Sequence, residues 1–248
     1  MQLNKTIINN IKTCLFTIIL MFFLGCNDSS LSRQIEMNFS NSLNQHLVMA
    51  AFEGKTIESF LEKGADPNAL GKDGTTPLFW AVYGNQFNSF KTLLKYGANP
   101  NFSRLEGRSI LALCAANPNS SFLEEALDNG GEPNTPYHRS HITPINDAII
   151  FQNYNNLEIL VESGADINHQ TTFTETPLLE CMYSANYKAA VYLLQNGADP
   201  AIICKGGYSF LDKVNDSFVG EDTPAYSWKQ KTIKWLIDHG YEVKGVNK

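Results

Sequence analysis

The side chains best placed for metal chemistry in this chain of 248 residues are two closely spaced histidines. His138 and His141 are separated by Arg139 and Ser140, and a His-x-x-His pair on a loop can supply two of the ligands that Zn²⁺ needs. The other three histidines are distant in sequence, and no third or fourth ligand stands close to the pair. We therefore interpret the pair as part of a solvated loop tip and expect no metal or other cofactor.

No set of residues has the spacing of a catalytic site. The sequence contains no Gly-x-Ser-x-Gly elbow, no phosphate-binding loop and no dinucleotide fingerprint. With 19 basic and 25 acidic residues the formal charge is −6, whereas a nucleic-acid surface needs a basic surplus. We expect a protein that is not an enzyme, with no small-molecule substrate and no nucleic-acid partner.

The first 26 residues have the pattern of an export signal that ends at a cysteine. Lys5 and Lys12 are the only charged residues before Asp28, and an apolar run occupies residues 13–24. A membrane-spanning helix needs about 20 apolar residues, so this shorter run favours a signal peptide. The run ends in Phe23-Leu24-Gly25-Cys26, which resembles a bacterial lipobox, although Leu usually stands three places and a small residue two places before the cysteine.

Cleavage after residue 25 would make Cys26 the lipidated first residue of a mature chain of 223 residues. An ordinary signal peptide that happens to end near a cysteine is the alternative. Loss of Lys5 and Lys12 leaves 17 basic and 25 acidic residues, a formal charge of −8. Residues 26–43 are rich in Ser and Asn and are predicted to be a polar tether. We expect a lipid-anchored protein in the envelope of a Gram-negative bacterium, facing the periplasm, with the choice of membrane left open.

The remainder of the chain is organised by a period of 33 residues. Gly-Ala-Asp-Pro-Asn at 64–68 recurs in related forms that begin at residues 97, 130, 164 and 197, and a degenerate sixth copy begins at Gly240. The spacings are 33, 33, 34, 33 and 43 residues. Regular spacing over six copies indicates a repeat architecture, which makes one solenoid out of a chain long enough for two globular domains.

Each repeat carries signals for two helices. Thr76-Pro77-Leu78 begins 21 residues before Gly97, and related triplets begin at the same distance before the next three glycines, at residues 109, 143 and 176. A Thr or Ser hydroxyl caps the free N–H groups of a first helical turn, and Pro fits the next position. An apolar pair shortly before each glycine indicates a second helix, which the glycine then ends in a left-handed conformation.

This pattern resembles the ankyrin repeat, whose 33-residue unit is a helix, a turn, a second helix and a β-turn finger. The resemblance covers residues 45 to about 243 and implies an all-α solenoid of about six repeats in a domain of residues 44–248. The repeats are expected near residues 45–74, 75–107, 108–141, 142–174, 175–207 and 208–248. The His that follows Thr-Pro-Leu in the family is Phe79, Ala112, Asn146 and Leu179 here.

The two end repeats are irregular. The family's glycine between the two helices survives only as Gly54, and Asn85, which tolerates left-handed backbone, takes its place in the second repeat. The first repeat has a shortened stretch between Gly54 and Gly64, and the last has a predicted loop insertion at residues 216–225 before a second helix that resumes at Trp228. Terminal repeats must cover an apolar flank without a neighbour, so irregular ends are expected.

Three cysteines remain beyond the export segment. Cys114 and Cys181 occupy the same small-residue position of their repeats, two repeats apart, which exceeds the reach of a disulfide bond. We interpret both as core residues and Cys204 as a finger residue with a free thiol.

The resemblance also implies a binding surface, because ankyrin proteins commonly contact partners through the fingers and the exposed ends of the first helices. Large apolar or aromatic side chains at such positions suit an interface. The expected partner-binding residues are Lys72, Asp73, Tyr83, Glu106, Arg108, Arg139, Ile150, Phe151, Phe173, Glu175, Tyr183 and Tyr208. Packing of some of these rings against the next finger is the alternative.

Two functions are compatible with an exported binding module. The resemblance suggests an immunity protein that neutralises an antibacterial toxin, such as a secreted phospholipase, by protein–protein contact, with membrane attachment through the lipid anchor. The alternative is a scaffold or protective partner of a periplasmic enzyme, for example in oxidative-stress defence. Both predict one protein partner.

Overall fold

The structure is a computed structural model that describes residues 28–104, 107–137 and 139–246, and regular structure in these ranges is helical. Extended pairing in them is limited to two isolated bridges, Ser103 with Ser109 and Tyr137 with Ile142. The helices are α1 (Asp28–Asn38), α2 (Ser42–Glu53), α3 (Glu58–Glu62), α4 (Pro77–Tyr83), α5 (Phe87–Lys95), α6 (Ile110–Ala116), α7 (Ser121–Asp128), α8 (Pro144–Ile150), α9 (Tyr154–Glu162), α10 (Pro177–Tyr183), α11 (Tyr187–Gln195), α12 (Phe210–Lys213) and α13 (Pro224–Asp238).

Six helix pairs follow one another from α2 to α13, which confirms the predicted all-α solenoid. The expected helix starts are present: Thr76 and Thr176 accept hydrogen bonds from the third N–H of α4 and α10, and Ser109 does the same for α6. Thr143 forms a capping box with Asn146 at the start of α8. The hydroxyl caps therefore set the register of the first helix in each internal repeat.

Left-handed residues end the helices where the sequence pattern predicts them. All six repeat glycines have positive φ, between +83° and +93°. In the turn between the two helices of a pair, Gly54 and Asn85 have φ of +70° and +54°, and Gln152 and Ala185 adopt similar values. Non-glycine residues seldom take this conformation, and here the packing of two helices imposes it.

The third repeat has Asn117-Pro118 in this turn, and its helix end is completed by the next repeat instead. The Asn156 side-chain amide donates to the carbonyls of Cys114, Ala115 and Asn117 at 3.1, 3.0 and 2.7 Å. Asn153 donates to the carbonyls of Ala115 and Ala116 at 3.1 and 2.7 Å. Unpaired carbonyls at a helix end need such partners, so the two asparagines tie the third repeat to the fourth.

An asparagine ladder joins successive fingers. The Asn68 amide donates to the carbonyl of Gly97 at 2.8 Å, and its oxygen accepts from the N–H of Asn99 at 2.8 Å. Asn101 and Asn134 make the same two bonds to the following repeat, and Asn168 accepts from Asp199. The last residue of the repeated Gly-Ala-Asp-Pro-Asn motif is therefore a connector, and the ladder ends where Ala201 takes this place.

One continuous apolar core runs along the stack from Leu47 to Val243. Cys114, Cys181 and Cys204 belong to it as buried free thiols, and burial raises the pKa of Cys114 and Cys181 above that of an ordinary cysteine. Cys204 lies on a finger as expected but is enclosed rather than exposed. Thiols buried in an apolar core are shielded from reagents, so these cysteines are packing residues.

The segment before the first repeat differs from the predicted polar tether. Residues 28–38 form α1, and Ile35 and Phe39 are buried in a second cluster with Val48, Ala69 and Trp80. The N–H of Lys72 donates to the carbonyl of Asn38 at 3.0 Å, as Lys205 does to Phe173 farther along the stack. The polar composition concealed two apolar side chains, and α1 covers the flank that the first repeat would otherwise expose.

The last repeat contains the predicted insertion, with different bounds. Helix α12 has only four residues, a loop follows, and α13 begins at Pro224 behind a Thr223 cap rather than at Trp228. Lys229, buried at 6% exposure, donates to the carbonyls of Asn215 and Ser217 at 2.7 and 2.6 Å. The Lys229 ammonium thus holds the loop backbone in place. The loop carries Phe218, which is 97% exposed.

None of the helices in the described ranges has the length and apolar character needed to cross a bilayer.

Candidate protein-binding groove

By the repeat register, the predicted binding residues in the described ranges fall on the fingers and on the first helices of the pairs, a surface that we call the groove face. It is made by the first helix of each pair (α2, α4, α6, α8, α10 and α12) and by the finger residues that precede each helix. Two positions recur in it: the residue just before the helix cap, and the residue four places after the cap. The first series is Thr75, Arg108, Ile142, Glu175 and Tyr208, and the second is Trp80, Leu113, Asp147, Glu180 and Lys213.

Arg108, predicted as a partner contact, is instead occupied within the chain. Its Nε lies 2.7 Å from Oδ1 of Asp147, a fully buried carboxylate one repeat farther on. Its guanidinium also lies over the ring of Phe151, 4.7 Å from the centroid. The Tyr137 hydroxyl donates to the other oxygen of Asp147. Arg108 and Phe151 are therefore parts of a cluster that holds the third repeat to the fourth, and only their outer edges can reach a partner.

Burial is the largest single influence on the pKa of each ionisable group in this cluster. It raises the pKa of Asp147, against the opposing effects of Arg108 and of the Tyr137 hydrogen bond. The pKa of Tyr137 is raised by burial and by the neighbouring carboxylate. The pKa of Arg108 is also raised, because attraction to Asp147 and Tyr137 outweighs a large opposing effect of burial. A buried carboxylate keeps its charge only with such partners, so Arg108 is the residue on which the cluster depends.

A second polar cluster brings together Glu175, Tyr183 and Tyr208. The Tyr183 hydroxyl lies 3.2 Å from Oε1 of Glu175 and 2.8 Å from the hydroxyl of Tyr208. Burial and these neighbours raise the pKa of Tyr183. The ammonium of Lys213 lies 5.6 Å from the centroid of the Tyr208 ring. The repeat register predicted that all three residues share one surface. In the structure hydrogen bonds join them, and each remains partly exposed.

Glu180 projects from α10 next to this cluster. Its pKa is raised to about 7, first by burial and then by the charges of Glu175 and Asp147. Sequence reasoning did not select Glu180, Asp147 or Tyr137. The sequence did contain a signal for the two acids: both stand four places after a helix cap, a position that is apolar in the second and third repeats, where it holds Trp80 and Leu113.

At the N-terminal end the groove face is aromatic. Tyr83 stacks on Phe79, with centroids 6.0 Å apart, and contacts Trp80 edge-on at 5.7 Å. Phe52 meets Trp80 edge-on at 6.0 Å, and Arg104 lies 5.3 Å from the centroid of the Phe79 ring. Tyr83 is thus half-buried within its own cluster, as the packing alternative anticipated.

The remaining predicted residues are more accessible. Lys72, Asp73, Arg139 and Phe173 are exposed, Phe173 by 51%. Asp73 accepts hydrogen bonds from the N–H and the hydroxyl of Thr75. Arg139 also has an interaction partner. Ile150 is half-buried at the end of α8. Glu106 and the lipidation candidate Cys26 lie outside the described residues.

The histidine pair gains no ligands from the fold. His138 lies outside the described residues, and His141 is an exposed finger residue with φ of +54°. Across the described ranges no three His, Cys, Asp or Glu residues converge as a metal site would require.

Comparison with known proteins decides the family. The family model for ankyrin repeats, in three copies, matches residues 18–104 and 111–204. The chain belongs to the ankyrin-repeat family. This match covers most of the chain and includes nearly all of the helix pairs from α2 to α11.

Similar proteins come from several sources. An ankyrin repeat protein of Acanthamoeba polyphaga mimivirus is 30% identical over 80 residues, which are 31% of this chain and 19% of the viral protein. The human transient receptor potential cation channel subfamily A member 1 is 26% identical over 179 residues, 71% of this chain and 16% of the channel. Variola virus ankyrin repeat protein OPG189 has the same identity and coverage of this chain, over 31% of its own length. The chain spans less than a third of each of these relatives.

Family membership identifies the protein as a protein–protein interaction module. Ankyrin repeats generally serve as non-catalytic binding scaffolds, whose stacked units form an extended surface. The groove face described above carries aromatic and charged side chains of the kind that such contacts use.

Proposed function

We propose that this ankyrin-repeat protein is exported, anchored through a lipid on Cys26 and directed toward the periplasm, where it acts as an immunity protein. It neutralises an antibacterial toxin, for example a secreted phospholipase, by covering the toxin's active-site cleft. Inhibition by contact needs a rigid, preorganised surface and no catalytic residues, which is what a solenoid offers.

The observation that carries this proposal is the composition of the groove face. Tyr83, Phe151, Tyr183 and Tyr208 are large, partly exposed rings held in place by neighbouring side chains. Phe173 adds a more exposed ring on the finger before α10. Rings fixed in this way make contacts at low entropic cost, and aromatic residues are enriched among the residues that dominate binding energy.

The charge of the chain indicates the kind of partner. The formal charge is −6 for the whole chain and −8 after removal of residues 1–25. A toxin with a basic rim around its cleft would be attracted to such a surface, and charge complementarity accelerates association. Export rests on the Lys5 and Lys12 region, the apolar run at 13–24 and the Phe23-Leu24-Gly25-Cys26 sequence, all outside the described residues.

Deletion of the gene in the producing strain tests the immunity function. We expect cells that lack it to die only when a neighbouring toxin gene is active, and the purified toxin and this protein to form a stoichiometric complex. Survival with the toxin active, or failure of the purified pair to associate, would contradict the proposal. Sensitivity to peroxide without any contact with rival bacteria would instead favour the alternative of a scaffold in oxidative-stress defence.

Substitution of Phe173 locates the contact once the toxin is in hand. Phe173→Ala removes an exposed ring from the groove face and should weaken the complex by about tenfold or more, as expected for an interface anchor. Tyr96→Ala is the matched control, because Tyr96 is also exposed but lies at the end of the second helix α5. Equal losses in the two variants, measured by calorimetric titration, would argue against the groove face as the binding surface.

A further inference from the structure

Two neighbouring repeats carry a carboxylate at the same place on the groove face. Asp147 in α8 and Glu180 in α10 each stand four residues after the helix cap. The position is apolar in the second and third repeats, where Trp80 and Leu113 occupy it. The repeat places both acids at the same register, with Asp147 fully buried and Glu180 partly exposed, so the partners of Asp147 indicate what can complete such a site.

The chain itself supplies the cation for Asp147. Arg108 precedes the cap of the third repeat and reaches forward to the fourth, where its Nε lies 2.7 Å from the Asp147 carboxylate. Phe151, four residues after Asp147, stacks under the same guanidinium. The complete site thus consists of a carboxylate, a guanidinium from the preceding repeat, the donating hydroxyl of Tyr137 and an aromatic ring.

Glu180 lacks this cation. The residue that corresponds to Arg108, one repeat farther on, is Ile142, which cannot form an ion pair. The Glu180 carboxylate has no hydrogen-bond or ion-pair partner among the described residues, and the charged groups that influence its pKa are two further acids, Glu175 and Asp147. The residue is partly exposed, yet its carboxylate lies deep enough among protein atoms for burial to be the largest cause of its raised pKa.

The cations on the neighbouring repeats have other contacts. Arg108 is held by Asp147, and Lys213 lies over the ring of Tyr208. Lys205 donates to the carbonyl of Thr172, and Arg139 on the finger before α8 makes a contact of its own. Tyr183 lies three residues after Glu180 on α10, which puts the two side chains on neighbouring parts of one helical face, while Ser184 occupies the place that Phe151 has in the fourth repeat. The site therefore has a partly exposed carboxylate without a cation from the described residues, with a tyrosine close by on the same helix.

We infer that Glu180 is a cation subsite of the groove face and that it receives an arginine side chain of the partner protein, beside the ring of Tyr183. The inference extends the proposed function by naming one contact of the binding surface. Arginine is favoured because the chain completes the equivalent site at Asp147 with an arginine, and because a guanidinium can pair with a carboxylate and stack on a ring at once.

Blocked tripeptides test the subsite without the partner. The full-length chain, purified in mild detergent, is titrated with N-acetyl-Gly-Arg-Gly-amide. Two control peptides replace the arginine, one with lysine and one with citrulline, which is neutral. Binding is followed by NMR chemical shifts. We expect the arginine peptide to bind about tenfold more tightly than the citrulline peptide, since one charge-assisted contact differs between them. The lysine peptide should bind more weakly than the arginine peptide.

Two glutamate variants separate the subsite from general acidity. Glu180→Gln keeps the shape of the side chain and should abolish the preference for arginine over citrulline. Glu62→Gln makes the same charge change at an exposed position on α3 and should leave that preference intact. Equal peptide affinities for Glu180→Gln and the unaltered protein would overturn the inference, and so would a comparable loss in Glu62→Gln.

The pH dependence supplies a second readout. Arginine binding by the unaltered protein should fall as the pH is lowered from 8 to 5.5, because protonation of Glu180 removes the charge that attracts the peptide. Glu180→Gln should show no such fall. The acids that act on Glu180 are Glu175 and Asp147, so a fall that persists in Glu180→Gln would assign the titration to one of them and reject the subsite.

A gain-of-contact variant completes the test. Ile142→Arg places an arginine where the repeat provides Arg108 for Asp147, and it should fill the subsite from within the chain. We expect it to abolish arginine-peptide binding and to lower the pKa of Glu180 measured by carbon NMR. Undiminished peptide binding by a folded Ile142→Arg protein would contradict the equivalence of the two sites. If no peptide effect is found while the toxin still binds, the subsite is rejected and the immunity function stands.

Discussion

The two halves of the groove face solve the same packing problem with different chemistry. Around α2 and α4 the face is aromatic and is partly covered by α1, with Ile35, Phe39 and Trp80 buried together. Around α8, α10 and α12 it is polar, with Asp147, Glu180 and Lys213 at the position that Trp80 holds in the second repeat. Both halves share the helix caps and the asparagine ladder, so the difference is confined to the side chains that face the groove.

This contrast separates stability from recognition along one surface. The aromatic half is closed by the chain's own N-terminal helix, and apolar burial there stabilises the end of the stack. The polar half keeps charged groups in partly buried surroundings, which lowers stability unless partners are present. The second half is therefore the part of the face that gains most from a bound protein.

The largest effect is expected from removal of the cation in the polar half. Arg108→Met leaves Asp147 buried without its partner and should lower the free energy of unfolding by about 3–5 kcal/mol at pH 7. Urea unfolding measures the loss. The double variant Arg108→Met with Asp147→Asn removes both charges and should recover a large part of it; no recovery would show that packing, not charge, carries the contribution of Arg108.

A slightly smaller effect is expected in the aromatic half. Phe39→Ala opens a cavity between α1 and the first repeat and should cost about 3 kcal/mol, the lower end of the range for a buried Phe. Hydrogen exchange should show faster exchange in α1 and α2 and unchanged protection in α10. Loss of protection throughout the stack would mean that α1 stabilises the whole solenoid and that the two halves are not independent.

The acid at Glu180 should make the polar half sensitive to pH. Its pKa is about 7 in the folded protein and near the ordinary glutamate value when unfolded, so between about pH 4.5 and 7 the folded state holds the extra proton. Its contribution to the free energy of unfolding therefore falls as the pH rises through this window and stays low above it. Glu180→Gln should be more stable than the unaltered protein by about 1–3 kcal/mol at pH 8 and equal to it at pH 4. Equal stability at both pH values would contradict this assignment.

The smallest effect concerns the ladder that both halves share. Asn68→Ala and Asn134→Ala each remove two hydrogen bonds between fingers, in the aromatic and the polar half respectively. Each change should cost about 1–2 kcal/mol, because exposed hydrogen bonds are individually weak. Thermal unfolding of the two variants should give similar losses. A clear difference between them would show that the halves differ in their backbone framework as well as in their groove side chains.

The framework of the protein could be predicted from the sequence because repetition reveals it. The caps at Thr76, Ser109 and Thr176 and the left-handed Asn85 all follow from local rules applied to a regular period. The surface position of Tyr183 and Tyr208 was predicted by the same register. Local chemistry and period suffice where each repeat makes the same contacts as its neighbours.

The repeat register could not predict contacts between residues that differ from one repeat to the next. The pairing of Arg108 with Asp147 spans one repeat, and no local pattern distinguishes it from two solvated charges. The burial of Ile35 and Phe39 was hidden by the polar composition of residues 26–43, since two apolar side chains are enough to dock a short helix. The start of α13 at Pro224 was missed because Thr223-Pro224 lies within a stretch rich in loop-forming residues.

For a protein anchored through Cys26 as proposed, the docking of α1 would also limit the distance between the repeats and the bilayer. A lipid on Cys26 would be followed by two peptide units before α1 begins at Asp28, which is about 7 Å of fully extended chain. A tether of the length first expected would have allowed the domain to search a much larger volume. With α1 folded against the first repeat, the proposed anchor would hold the N-terminal end of the stack close to the lipid headgroups. Under the proposed function, the protein would then meet its partner close to the membrane surface.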